Sequence, residues 1–183
     1  MKIVLSLVIL LVLSACTVVG GLATPPNPNE TITAFFAHVN AGEFNEADQL
    51  LSDTPPISLK EIEADHSGIF DHLDYQFVSE TLEDNRAYLR VNVSALDFTR
   101  LMETVISEAL FWVFVEMTEE ELYALVNELL IEKMSAENAP VVTNEVTIVL
   151  ELRNNAWQIV PDDALFDGVT GGVLSFAEYV AGW

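Results

Sequence analysis

The sequence predicts an α+β fold in which one antiparallel sheet of about four strands curls around helices. Three observations predict it. Apolar residues recur at helical spacing in early and in central segments. In two other stretches the period falls to two, each time around a polar turn. Hairpins and helices therefore interleave along the chain, the pattern of an α+β domain.

Residues 30–41 carry Ile32, Phe35, Phe36 and Val39 at i, i+3, i+4 and i+7, one face of a helix. Asn40-Ala41-Gly42 stops it, with Gly42 suited to a left-handed cap. Phe44, Ala47, Leu50 and Leu51 keep helical spacing and predict a shorter helix beside the first. Pro55-Pro56 closes that region, and Ser58 to Ala64 fits one more short helix. From Leu73 the period is two. Leu73, Tyr75 and Phe77 share one face, Asp74, Gln76 and Val78 the other. Glu83-Asp84-Asn85 has turn character, after which Ala87, Leu89, Val91 and Val93 alternate with polar neighbours.

Ser94-Ala95-Leu96-Asp97 reads as a capping box, so a helix is expected to start at Ser94. Leu101, Val105, Leu110 and the run Ala109 to Val115 predict a buried core helix. Asp97, Arg100, Glu103, Glu108 and Glu116 leave its uncharged stretch far short of the about 20 residues that a membrane span needs. Thr118-Glu119-Glu120-Glu121 is a second capping box, followed by Leu122, Leu125, Leu129 and Met134 along a helix. Val142, Val146, Ile148, Leu150 and Leu152 form the next strand, Arg153-Asn154-Asn155 turns, and Trp157 and Ile159 return until Pro161. Leu174, Phe176, Ala177 and Val180 predict a C-terminal helix within Gly172 to Trp183.

The N-terminus has a different character. Ile3 to Leu13 is a run of eleven residues in which only Ser6 is polar, behind the single positive charge of Lys2. That is the h-region of a secretory signal, too short to span a bilayer. Leu13-Ser14-Ala15-Cys16 resembles the bacterial lipobox: an aliphatic residue, two small ones, then cysteine. The resemblance implies cleavage after Ala15 and acylation of Cys16, the chain's only cysteine. The expected organisation is a signal peptide over 1–15, lipidated Cys16 with a Gly- and Pro-rich tether over 16–29, and one domain over 30–183. A lipid anchor places the domain on the extracytoplasmic face of a bacterial membrane.

Composition excludes several function classes. Seven basic residues against 29 acidic ones give a net charge of −22. Nucleic-acid binding needs the opposite sign, as does docking on anionic lipid through a polybasic patch. One cysteine permits neither an intramolecular disulfide nor a cysteine cluster for a metal. There is no P-loop, no G-x-S-x-G elbow, no G-x-G-x-x-G fingerprint and no H-E-x-x-H.

Asp65, His66, Asp71, His72 and Asp74 form the densest polar cluster, but their spacing matches no ligand frame and reads as a solvated loop. His38, near a helix C-terminus, suits the helix dipole. Tyr75, Tyr88 and Tyr123 read as packing residues, and Trp112 and Trp157 as core. No catalytic residue, metal or cofactor is assigned.

Residues 35–51, from Phe35-Phe36 through Gly42-Glu43-Phe44 to Leu50-Leu51, resemble the opening helix pair of the nuclear-transport-factor-two-like (cystatin-like cone) superfamily. With Cys16, Asn154 to Val160 and Leu165 to Gly172, the chain is similar to small bacterial lipoproteins of that superfamily with no assigned activity. The resemblance implies a cone-like fold, a curved sheet wrapped on helices around an apolar pocket, which the central helix pair (residues 98–134) would fill. It implies no reaction, since a fold does not choose one. The expected function is a membrane-anchored binding or adaptor module for a protein or a small apolar ligand. The alternative is an isomerase- or hydrolase-type enzyme with an acid or base inside the cone.

Overall fold

A computed structural model describes residues 26–66, 68–112 and 117–182. The expected signal segment, residues 1–15, and Cys16 lie outside them. The order of elements is α1 (Pro28–Asn40), α2 (Phe44–Asp48), α3 (Leu59–Asp65), β1 (Asp74–Glu83), β2 (Arg86–Leu96), α4 (Phe98–Leu110), α5 (Glu119–Met134), β3 (Val141–Arg153), β4 (Ala156–Ile159), α6 (Asp163–Thr170) and α7 (Val173–Ala181). The fold is α+β, as the interleaved periods predict.

The sheet is antiparallel throughout, in the order β1-β2-β3-β4. Its register follows the alternation of apolar residues. Leu89 opposes Ile148, Val91 opposes Val146 and Ala87 opposes Leu150, all of them buried. A one-residue slip would turn this whole set to water, so the pattern fixes the pairing. The opposite face is polar. There Arg90 pairs with Glu145 at 2.6 Å, and the Ser94 and Thr143 hydroxyls lie 2.7 Å apart. β1 is an edge strand with a bulge between Phe77 and Ser79, and no residue of it is fully buried.

Helices cover the apolar face. On α1, Ile32, Phe35, Phe36 and Val39 are all buried. Each such side chain stabilises the fold by about 1.5–3 kcal/mol on burial. Phe36 stacks on Tyr75 of β1, with centroids 4.4 Å apart. The helix begins at Pro28, inside the expected tether, because Asn27 caps it and proline at the first position forfeits no hydrogen bond. The Trp157 indole N–H donates to the Pro26 carbonyl, so the chain enters the domain at the β3–β4 turn.

Several expectations need correction. Ser94 does not start a helix. β2 continues to Leu96, which pairs with Val141, and Asp97 caps α4 by accepting the Arg100 N–H. Ladder pairing outcompetes the local cap. Trp112 is not core: Leu110, Phe111 and Trp112 are all exposed. Trp157 is buried, as expected. α6 was not foreseen, yet it is α6 that lies on β2 and β3, through Leu165, Phe166 and Val169. The central pair α4 and α5 packs mainly on itself, beside the end of the sheet where Leu96 meets Val141.

Candidate functional site

α4, α5 and α7 frame an apolar groove of about 510 Å³. Each helix supplies part of it for a reason legible in its own sequence. α4 carries two stripes. Leu101, Val105 and Ala109 are buried, while Met102, Ile106 and Leu110, one position further round, run from half-buried to exposed. Phe98 and Met102 line the groove. α5 starts at a full capping box, in which Thr118 Oγ1 accepts the Glu121 N–H and Glu121 accepts the Thr118 N–H. That hydrogen bond holds the Glu121 carboxyl below its usual range. Val126 and Leu130 face the groove, and Tyr123 stands at its rim, 74% exposed.

α7 presents Val173, Phe176, Ala177 and Val180, spaced i, i+3, i+4 and i+7, and all four line the groove. No residue of α7 is fully buried. The helix is held in place from outside that face. Asp167 accepts from the Ser175 backbone N–H at 3.0 Å and from its hydroxyl at 2.6 Å. Phe98 is the hub of the floor. Its ring meets Phe176 edge-on at 5.6 Å and the His66 ring at the same distance. His66 Nδ1 is buried without a hydrogen-bond partner, and no carboxylate among the described residues lines the groove.

A second, polar cleft of about 420 Å³ lies across α4 and α5 by Arg100, Glu132 and Lys133. Lys133 is already engaged there, 3.0 Å from Glu108, which raises its pKa.

The residues singled out in the sequence are not brought together. His66 packs against Phe98, and no three metal-ligating side chains converge among the described residues. His38 Nδ1 lies 2.8 Å from a Glu43 carboxylate oxygen. Tyr75 packs on Phe36, and Tyr88 stands on the polar face of the sheet opposite Val149. Among the described residues Thr170 is the one fully buried polar side chain, and its hydroxyl donates to the Phe166 carbonyl at 2.8 Å. The groove escaped the sequence reading because the residues of α4 and α5 looked like core. The unfilled i, i+3, i+4, i+7 face of α7 was visible, but not its lack of a cover.

No protein-family model matches the chain, and no curated protein matches it in sequence. Among solved structures, it is similar to a candidate lipoprotein (ycdA) from Bacillus subtilis, with 15% identity and a TM-score of 0.45. The match covers 81% of this chain and 48% of that one, so the chain spans about half its length. A likeness of this size transfers neither family nor activity. Among the described residues no helix is long and apolar enough to cross a membrane.

Proposed function

We propose that the chain is an extracytoplasmic lipoprotein, held to a bacterial membrane through acylated Cys16, that works as a binding module through the α4–α5–α7 groove. The unburied apolar face of α7 carries the binding part of this reading. A helix face with four apolar residues at core spacing is normally covered, and contiguous exposed apolar surface marks interaction sites. A volume of about 510 Å³ falls within the range of ligand pockets, about 300–1,000 Å³. The anchor rests on the sequence: a complete h-region ending in Leu-Ser-Ala-Cys, with no other cysteine in the chain. The cone superfamily remains the family to which the opening helices are best compared.

An environment-sensitive apolar dye tests the groove. The dye should light up on the folded chain and lose that signal when Tyr123 and Val180, both exposed, become serine. Equal dye signal in that double variant, with an unchanged circular dichroism spectrum, would remove the groove as the binding site.

A further inference from the structure

We infer that the groove takes an amphipathic helix with a basic polar face, presented by another protein on the outer side of the membrane. This rests on the binding reading above and adds the class of partner.

Shape argues for a helix. The apolar surface does not end with the groove but continues along α4 through Ile106 and Leu110, both about half exposed. From Met102 to Leu110 is eight residues, about 12 Å of helix axis. A helix laid in a groove reads such a strip through anchors at i, i+3, i+4 and i+7.

Charge argues for its sign. Among the described residues no carboxylate lines the groove interior, but α4, α5 and α7 together carry eight acidic residues against Arg100 and Lys133. Lys133 is itself neutralised by Glu108 at 3.0 Å. Glu119 and Glu120 lie one turn ahead of Tyr123 at the rim and Glu103 follows Met102; all three are exposed. An apolar strip flanked by carboxylates complements Leu or Phe anchors flanked by Lys or Arg, and such complementarity selects partners and speeds encounter.

Two other occupants fit less well. A second copy would bring two acidic rims face to face. A bilayer is disfavoured too, because its anionic headgroups meet the same carboxylates.

The test uses the mature chain from residue 16, with Cys16→Ser, and three synthetic peptides of about 18 residues. One is a Leu/Lys amphipathic helix, the second a scramble of it without an apolar face, and the third a Leu/Glu helix with the same face. The Leu/Lys helix should bind at least about tenfold more tightly than either control. The Tyr123→Ser, Val180→Ser double variant should reduce it to the level of the scramble, at unchanged melting temperature. Equal binding of the Leu/Glu helix would overturn the basic partner and leave a binding groove. Equal binding of the scramble would reduce the effect to bulk charge and overturn the proposal. Dye binding without peptide binding would point to a small ligand, and binding only to phosphatidylglycerol vesicles to a bilayer; either defeats the helix. Loss of dye binding as well as peptide binding would defeat the groove itself.

Discussion

Gly171 lies against the carbonyl of Leu96 so tightly that a β-carbon on it would stand 1.5 Å from that oxygen. Its own carbonyl accepts the Phe98 N–H at 2.9 Å. The end of β2, the end of α6 and the start of α4 thus meet at one backbone corner, and the groove is built outward from it.

Gly171→Ala should therefore be among the most damaging single substitutions in the chain. The backbone there has φ of +64°, which costs an alanine about 1–2 kcal/mol. The overlap with Leu96 comes in addition and needs a shift of backbone, not of a flexible side chain. Gly42 is the control. It has φ of +71°, yet an added β-carbon would meet nothing within 4 Å. Urea unfolding should show a loss of about 1–2 kcal/mol for Gly42→Ala and clearly more, or no folding, for Gly171→Ala. Equal losses would mean that the Leu96 contact is looser than described.

The contrast between α4 and α6 shows what the sequence made legible. Strand alternation in β2 and β3 set both the fold class and the register, because water punishes any other pairing. α6 was missed although Asp162 caps it through the Leu165 N–H and Leu165, Phe166 and Val169 share its face. It is only eight residues long and adjoins a strand end, so the local pattern is weak beside the strand pattern before it. The groove was hidden for a different reason. Periodicity says that Met102, Val126 and Phe176 lie on apolar faces, but only tertiary packing decides which apolar face remains uncovered.

Asp167 should control the rigidity of α7. Its two oxygens accept the Ser175 N–H and hydroxyl from eight residues ahead. No residue of α7 is fully buried, so this clamp adds to the partial packing of Val173, Leu174 and Phe176 in holding it. Asp167→Ala should cost about 1 kcal/mol, the usual worth of such a cap. Hydrogen exchange should quicken in residues 173–181 and stay unchanged in β2 and β3. Uniform quickening across the sheet would show that α7 is part of the cooperative core rather than a local unit.

Glu151 should give the stability a specific acid dependence. Hydrogen bonds from Arg153 and Arg86 hold its carboxyl below the usual value, at 2.9 and 2.6 Å. A depressed carboxyl pKa stabilises the fold above the unfolded value, near 4.5, and that share is lost as pH falls through the folded value. Protonation of the other carboxylates relieves self-repulsion over the same range, so the total curve mixes two signs. The difference between the chain and Glu151→Gln isolates the pair. It should be constant above pH 5 or so and shrink below about pH 4.5. A difference that does not change with pH would mean that the two arginines do not hold this carboxylate in solution.

Cys16 should decide where the protein resides. A single acyl chain gives only marginal attachment, whereas the diacylglyceryl group that the lipobox implies supplies two chains and stable anchoring. The net charge of −22 repels anionic headgroups, and no helix among the described residues can span. Expressed in a bacterium, the unaltered chain should incorporate labelled palmitate and partition into the detergent phase. Cys16→Ser should take up no label and leave that phase. Cleavage after Ala15, as the lipobox implies, would leave six basic residues against 29 acidic ones, a net of −23, which gives the mature chain no electrostatic hold on anionic lipid. Label on the serine variant would place the acyl group elsewhere. An unlabelled natural chain that still resists alkaline extraction would replace the lipid anchor with a partner protein.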